Sequence, residues 1–308
     1  NIEPSTQPNL YAHNLLLDNF INLFNKNKLP NKILLSGEKG IGKSTLAYHL
    51  INHVLSENEE YPYNQQNYQI NINNKSYKLI QNQTNPNFNL IDVAKDKKKI
   101  DISQIRNLII DLNKSSFNQK PRFVLIDNIE FLNVNSVNAL LKILEEPNKN
   151  IIFILINNNK KISPTLKSRC LYFKVFMSYD QTIKIVNKLL DTDICHLVNN
   201  ELVYNYATVG KLIELVKFSQ DFNLNLKNIS LKEFITKIIK DKIYKKDKLI
   251  NEHIYSYIQL YFRNNMTVRN IRLNDLYSYF IKQINNTKIY NLDEETLFLE
   301  FENKVLNG

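Results

Sequence analysis

This chain of 308 residues has little cysteine, little glycine and no tryptophan. Two cysteines, Cys170 and Cys195, are too few for a disulfide framework or a four-cysteine zinc site, so we expect a reducing compartment and no zinc. No apolar run approaches the roughly 18 residues of a membrane-spanning helix. Residues 1–4 show neither the basic nor the apolar part of a signal peptide. These absences favour a cytoplasmic protein with no membrane partner.

The charge balance is strongly basic, with a net charge of +10 and a pI of about 9.3. An acidic partner such as nucleic acid would explain this balance. The codon bias of an AT-rich genome explains it as well, because Asn, Lys and Ile are abundant and glycine is scarce. We favour codon bias, and the charge alone does not predict a groove for DNA.

Three of the five glycines lie close together, in residues 37–45. This segment fits the phosphate-binding pattern G-x-x-x-x-G-K-[ST] at every position, between an apolar run at 33–35 and a helix-forming run from Leu46. The converging backbone N–H groups of such a loop, together with the positive end of the following helix, bind phosphate. The pattern predicts a nucleotide-binding loop made of Gly37, Glu38, Lys39, Gly40, Ile41, Gly42, Lys43, Ser44 and Thr45.

Candidate groups for binding and hydrolysis follow from this loop. Lys43 would reach the β- and γ-phosphates, and the Ser44 hydroxyl and the Asp127 carboxylate would hold Mg²⁺. Asn128 comes next, where ATPases that hydrolyse quickly carry a glutamate; its amide can hold a water but cannot accept a proton. We interpret Glu130 as a surface or supporting residue. We therefore expect binding of ATP or ADP with Mg²⁺ and weak or absent hydrolysis.

The pattern of apolar residues predicts an α/β first half and an all-α remainder. Buried strands are predicted at 33–35, 123–126, 151–156 and 171–176, with helices between them. One helix begins at a capping box, Asp101 to Gln104, and another is stopped by Pro147. Residues 56–89 read as a long surface excursion. Strand-like runs largely vanish after Ser178, and Gly210 separates two predicted lid helices.

Three motifs carry a family resemblance. Residues 123–130 contain the aspartate, residues 138–147 read NALLKILEEP, and residues 168–170 read SRC. In this order they resemble the AAA+ clamp-loader family of bacterial DNA polymerase III, over roughly residues 30–175. The resemblance implies an α/β P-loop AAA+ domain over 1–176, a small helical lid over 177–220 and an all-α C-terminal collar domain over 221–308.

Within the family the chain is most similar to the delta-prime type. The motor type, gamma or tau, carries a zinc module before its aspartate and keeps the glutamate that Asn128 replaces here. The 56–89 tract stands in the place of that module without cysteine, which is also a departure from the many delta-prime subunits that carry it. The resemblance implies a hetero-pentameric ring with gamma/tau and delta subunits that loads the sliding clamp onto primed DNA. It also implies that Arg169 is an arginine finger for the neighbouring subunit, that Asn157 reads the γ-phosphate, and that Lys211 is the lid sensor.

Two alternatives stay open. The chain could be an autonomous ATPase, such as a motor-type subunit that uses Glu130. It could also be a pure interaction subunit with a vestigial nucleotide site. We expect Cys170 to be a packed residue rather than a nucleophile.

Overall fold

The computed structural model describes residues 3–94, 97–114, 118–146, 150–206, 208–266, 271–290 and 292–307. The chain divides into two units, Asn1–Ser178 and Tyr179–Gly308. The further division predicted between residues 220 and 221 falls at the end of a helix, Val209–Asp221, and stays a prediction. Within the described ranges, no helix is long and apolar enough to span a bilayer.

Five parallel strands form one sheet in the first unit, in the order β2-β3-β4-β1-β5. The strands Arg122–Ile126 and Ile151–Asn157 are buried along their whole length and carry continuous apolar runs, as expected for a parallel sheet covered on both faces. The predicted α/β class is therefore confirmed. The strands are β1 (Lys32–Ser36), β2 (Phe88–Ile91), β3 (Arg122–Ile126), β4 (Ile151–Asn157) and β5 (Leu171–Lys174).

Amphipathic helices flank this sheet. Both predicted features of α4 are present, since Asp101 and Gln104 form the capping box and the apolar side of the helix is buried. The next helix begins after Asn133, whose side chain accepts a hydrogen bond from the Ser136 backbone. Pro147, the predicted stop, lies outside the described residues. The helices are α1 (Asn14–Asn25), α2 (Lys43–Leu55), α3 (Lys75–Gln81), α4 (Ile102–Leu112), α5 (Val134–Glu145) and α6 (Pro164–Ser168).

Every regular element in the described part of the second unit is a helix, as predicted. An apolar core rich in aromatic side chains, including Phe234, Tyr257 and Phe298, joins its helices. Gly210 lies inside the first turn of α9 rather than between helices. The helices are α7 (Tyr179–Leu190), α8 (Asn200–Tyr206), α9 (Val209–Asp221), α10 (Leu231–Lys240), α11 (Ile243–Lys246), α12 (Lys248–Asn265), α13 (Ile271–Tyr290) and α14 (Glu294–Phe301).

The prediction of a surface excursion over 56–89 is wrong in part, because α3 and the start of β2 lie within it. The tract is attached to α2 by buried polar side chains. The amide of Asn74 accepts a hydrogen bond from Asn52 and donates one to the Tyr61 carbonyl. Ser76 donates to the Leu55 carbonyl. These attachments are hydrogen bonds between polar side chains and backbone groups. A search for periodic apolar residues therefore did not detect the structure of this segment.

His49 of α2 forms a further attachment. Its Nε2 lies 3.2 Å from the Gln7 carbonyl, which can only accept, so Nε2 carries the proton and Nδ1 accepts from the Tyr63 hydroxyl at 2.9 Å. The ring is fully buried. Burial lowers the pKa of His49 to about 4, which keeps the imidazole neutral at physiological pH.

We predict that acid weakens the fold through His49. A neutral, buried imidazole contributes its stability above the unfolded pKa of about 6.5, and this is lost as pH falls toward 4. The free energy of unfolding should fall by about 2 kcal/mol from this group between pH 7.5 and pH 5. Urea unfolding of the wild type and of His49→Gln at both pH values measures the contribution of His49 to this fall in the free energy of unfolding. An equal pH dependence in the variant would contradict the assignment.

Candidate functional site

The loop between β1 and α2 has the backbone that its glycines permit. Gly40 and Gly42 both have φ of +89°, in the left-handed region where a side chain would be strained. A Cβ at Gly37 would lie 2.4 Å from the Val175 carbonyl oxygen. Each of the three glycines is thus required by the geometry of the loop. Ile41 is buried beneath it, Glu38 and Lys39 are exposed, and Thr45 lies in the first turn of α2.

Lys43 places a buried ammonium group inside this loop. Its side chain donates hydrogen bonds to the Gly37 carbonyl at 3.0 Å, the Glu38 carbonyl at 2.6 Å and Asn158 Oδ1 at 2.9 Å. Burial lowers the pKa of Lys43 to about 8, while the negative charges of Asp127 and Glu130 act to raise it. The group is therefore a cation at neutral pH, suited to bind an anionic phosphate.

Ser44 and Asp127 meet at the carboxyl end of the sheet, and their role as Mg²⁺ ligands stays a prediction. The Ser44 hydroxyl donates to Asp127 Oδ2 at 2.5 Å. Burial raises the pKa of Asp127, and the hydrogen bond from Ser44 lowers it. In the described part of the chain, no group of three or more His, Cys, Asp or Glu side chains is arranged to hold a metal ion. The candidate Mg²⁺ ligands are instead this hydroxyl and carboxylate oxygen, which suit a hard cation that keeps several waters.

Asn128 is held on two sides. Its side-chain amide donates to Asp92 Oδ1 at 2.7 Å, and its Oδ1 accepts from Asn158 at 2.8 Å. The residue has a φ of +56°, which asparagine tolerates better than most side chains. Asp92 follows β2, so sequence analysis that missed β2 also missed this carboxylate. The amide has no basic atom with which to take a proton from water.

Asn158, rather than Asn157, contacts Lys43. The side-chain amide of Asn157 donates to the Lys160 carbonyl at 3.0 Å and lies 3.4 Å from Ser36 Oγ. The γ-phosphate-reading role stays a prediction for Asn157, and the structure adds Asn158 as a second candidate. Three successive asparagines offered no signal by which to choose between them.

Glu130 supports Asn158 from behind. Its carboxylate accepts hydrogen bonds from the Asn158 side chain at 2.9 Å and from the Asn158 backbone at 3.3 Å. Glu130 is half-buried. Of the two roles considered from the sequence, surface residue or supporting residue, these contacts favour the supporting one.

Arg169 lies directly after α6. Its guanidinium binds Glu145 of α5 and the Thr165 carbonyl. Neighbouring Cys170 is half-buried, and burial raises the pKa of its thiol to about 11. A thiol with so high a pKa is a poor nucleophile at neutral pH, as expected. Lys211 belongs to the second unit, in the first turn of α9.

Comparisons with known proteins show the family to which the chain belongs. A family model described as DNA polymerase III, delta subunit, matches residues 12–177, more than half of the chain. A DNA polymerase III subunit gamma of Buchnera aphidicola is 28% identical over 67% of this chain and 57% of its own length. A subunit delta' of Pseudomonas aeruginosa is 31% identical over 44% of this chain and 40% of its own length. The chain thus spans about half the length of the relatives it matches.

One solved structure supports the fold. A DNA polymerase III gamma subunit-related protein of Thermotoga maritima superposes with a TM-score of 0.52, at 17% identity, over 91% of this chain and 96% of that one.

We predict that Lys43 governs nucleotide affinity. A ligand at about 100 times its Kd stabilises a protein by about 2.7 kcal/mol, so saturating Mg·ATP should raise the Tm of the chain. Lys43→Ala removes the buried cation and should abolish this shift in a thermal unfolding assay, whereas Lys28→Ala, an exposed lysine outside the loop, should retain it. A chain that shows no shift at all would favour the pure interaction subunit.

Proposed function

We propose that this chain, which belongs to the family described as DNA polymerase III, delta subunit, is a clamp-loader subunit of that polymerase. It would help to place the ring-shaped sliding clamp on primed DNA. The observation that carries the proposal is the family match over residues 12–177 together with a loop whose buried Lys43 donates to the Glu38 carbonyl and whose Ser44 donates to Asp127.

The delta-prime type fits the site better than the motor type. Relatives of both types match, so the distinction depends on the residues themselves. Asn128 replaces the proton-accepting side chain, and its amide is already bound between Asp92 and Asn158. The chain would therefore bind ATP or ADP and hydrolyse it slowly or not at all.

The residues present suit a nucleotide and Mg²⁺. Lys43 is a buried cation at the loop, and the Ser44 hydroxyl lies against Asp127 where a cation would take both oxygens as ligands. Bound ATP supplies a transferable phosphoryl group, and Mg²⁺ neutralises its charge. This chain's own side chains would orient the phosphates, with Asn158 and Glu130 fixing the position of Lys43.

Arg169 would act outside its own chain. Its described contacts are with Glu145 and Thr165, and none is with the phosphate-binding loop. A guanidinium offers a planar, permanently charged fork that can stabilise charge on a phosphate of a neighbouring subunit. We propose a hetero-pentameric ring with gamma/tau and delta subunits, assembled through the helices of residues 221–308, in which Arg169 serves the adjacent motor.

We predict that Arg169→Ala slows the assembled complex. With this chain reconstituted with its motor and delta subunits, clamp and primed DNA, kcat for ATP should fall tenfold or more, about 1.4 kcal/mol or above. Arg169→Lys keeps the charge but loses the planar fork, and should give an intermediate rate. Size-exclusion chromatography checks that each variant assembles. Unchanged turnover in an assembled Arg169→Ala complex would exclude the finger.

The second candidate is an autonomous ATPase in which Glu130 is the base. The observation in its favour is that a single residue, Asn158, links Glu130 to Lys43. Its side chain accepts a hydrogen bond from Lys43 and donates one to the Glu130 carboxylate.

We predict that the isolated chain hydrolyses ATP at a rate near the assay background, because Asn128 cannot accept a proton. Glu130→Gln should therefore leave that rate unchanged. Steady-state phosphate release by the purified chain measures it. Turnover that is lost in both Glu130→Gln and Lys43→Ala would instead support the autonomous ATPase.

A further inference from the structure

The Arg169 side chain is held in one orientation by two groups of its own chain. Glu145 Oε1 accepts hydrogen bonds from Nε at 3.0 Å and from Nη2 at 2.5 Å. The Thr165 carbonyl accepts from Nη1 at 3.0 Å. All three guanidinium nitrogens are therefore engaged, which fixes the plane of the group as well as its position.

The two helices that carry these residues are anchored in the same core. Leu144 precedes Glu145 at the end of α5, Leu166 lies in α6, and both are buried in one apolar cluster. The charged side chains themselves remain accessible, with 34% of Arg169 and 56% of Glu145 exposed. Ion pairs this exposed contribute little to folding. A role in stability therefore does not explain the pair.

The hydrogen bonds leave the guanidinium ready for another ligand. Arginine has five N–H donors, and the contacts with Glu145 and Thr165 use three of them. Of the two others, one is on Nη1 and one on Nη2, which suits two oxygens of a single phosphate. An arginine that is already oriented loses less side-chain entropy when it meets its ligand.

We propose that Glu145 is the positioning residue of Arg169: it orients the guanidinium toward the nucleotide phosphate of a neighbouring subunit. This inference rests on the proposed function of Arg169. Glu145 acts through the arginine and does not itself touch the phosphate. The negative charge of Glu145 partly offsets the positive charge that Arg169 would offer a phosphate. Glu145 therefore assists by orienting the guanidinium and not by adding attraction.

The test uses the assembled complex and its ATP turnover with clamp and primed DNA. Glu145→Gln should lower kcat about three- to tenfold and leave KM for ATP unchanged, because orientation affects the transition state more than ground-state binding. Glu146→Gln removes the same charge one residue further along and should behave as wild type. In an Arg169→Ala background, Glu145→Gln should have no further effect, since Glu145 acts only through the arginine.

Each other outcome has a distinct meaning. A normal kcat in Glu145→Gln, beside a slow Arg169→Ala, would overturn the positioning role and leave the finger intact. A higher kcat would show that Glu145 withholds the arginine, and would also overturn it. Turnover unaffected by Arg169→Ala would exclude the proposed finger role of Arg169 and this inference together. Failure of both Glu145→Gln and Glu145→Ala to assemble, with Glu146→Gln assembling, would assign Glu145 to assembly instead.

Discussion

The buried ammonium group of Lys43 is the constraint on which the rest of the site depends. A buried charge is costly unless it is paired and hydrogen-bonded, so the chain must bring acceptors to it. The loop after β1 supplies two carbonyls and the loop after β4 supplies Asn158. Asp127 and Glu130, beyond β3, add negative charge. One cation thus connects three separate segments of the chain.

The parallel sheet makes that convergence possible. Ser36, the last residue of β1, pairs in register with Asn157 at the end of β4, and Ile126 of β3 pairs with Leu155. Because parallel strands end at the same edge, the segments that follow them lie side by side there. Continuous burial of the central strands fixes this register, so the apolar core determines the geometry of a charged site.

The first unit contains two separate polar groups. Ser44 of the loop binds Asp127, and Arg169 and Glu145 form a charged pair at the ends of α5 and α6. The SRC run at residues 168–170 and the NALLKILEEP run at residues 138–147 each supply one member of that pair. Under the proposed function, this pair would serve a neighbouring subunit, while Ser44 and Asp127 would serve the chain's own nucleotide.

The sequence by itself determined the α/β class and predicted a nucleotide site at residues 37–45 with Ser44 and Asp127, because these follow from apolar periodicity and from residue types at fixed spacing. Only the tertiary structure decided which of three successive asparagines faces Lys43, that Asp92 binds Asn128, and that Glu145 holds Arg169. Only the tertiary structure also showed that the 56–89 tract contains α3 and that His49 binds Tyr63 of this tract. Each of these depends on hydrogen bonds between segments far apart in the chain, and such contacts have no local period in the sequence.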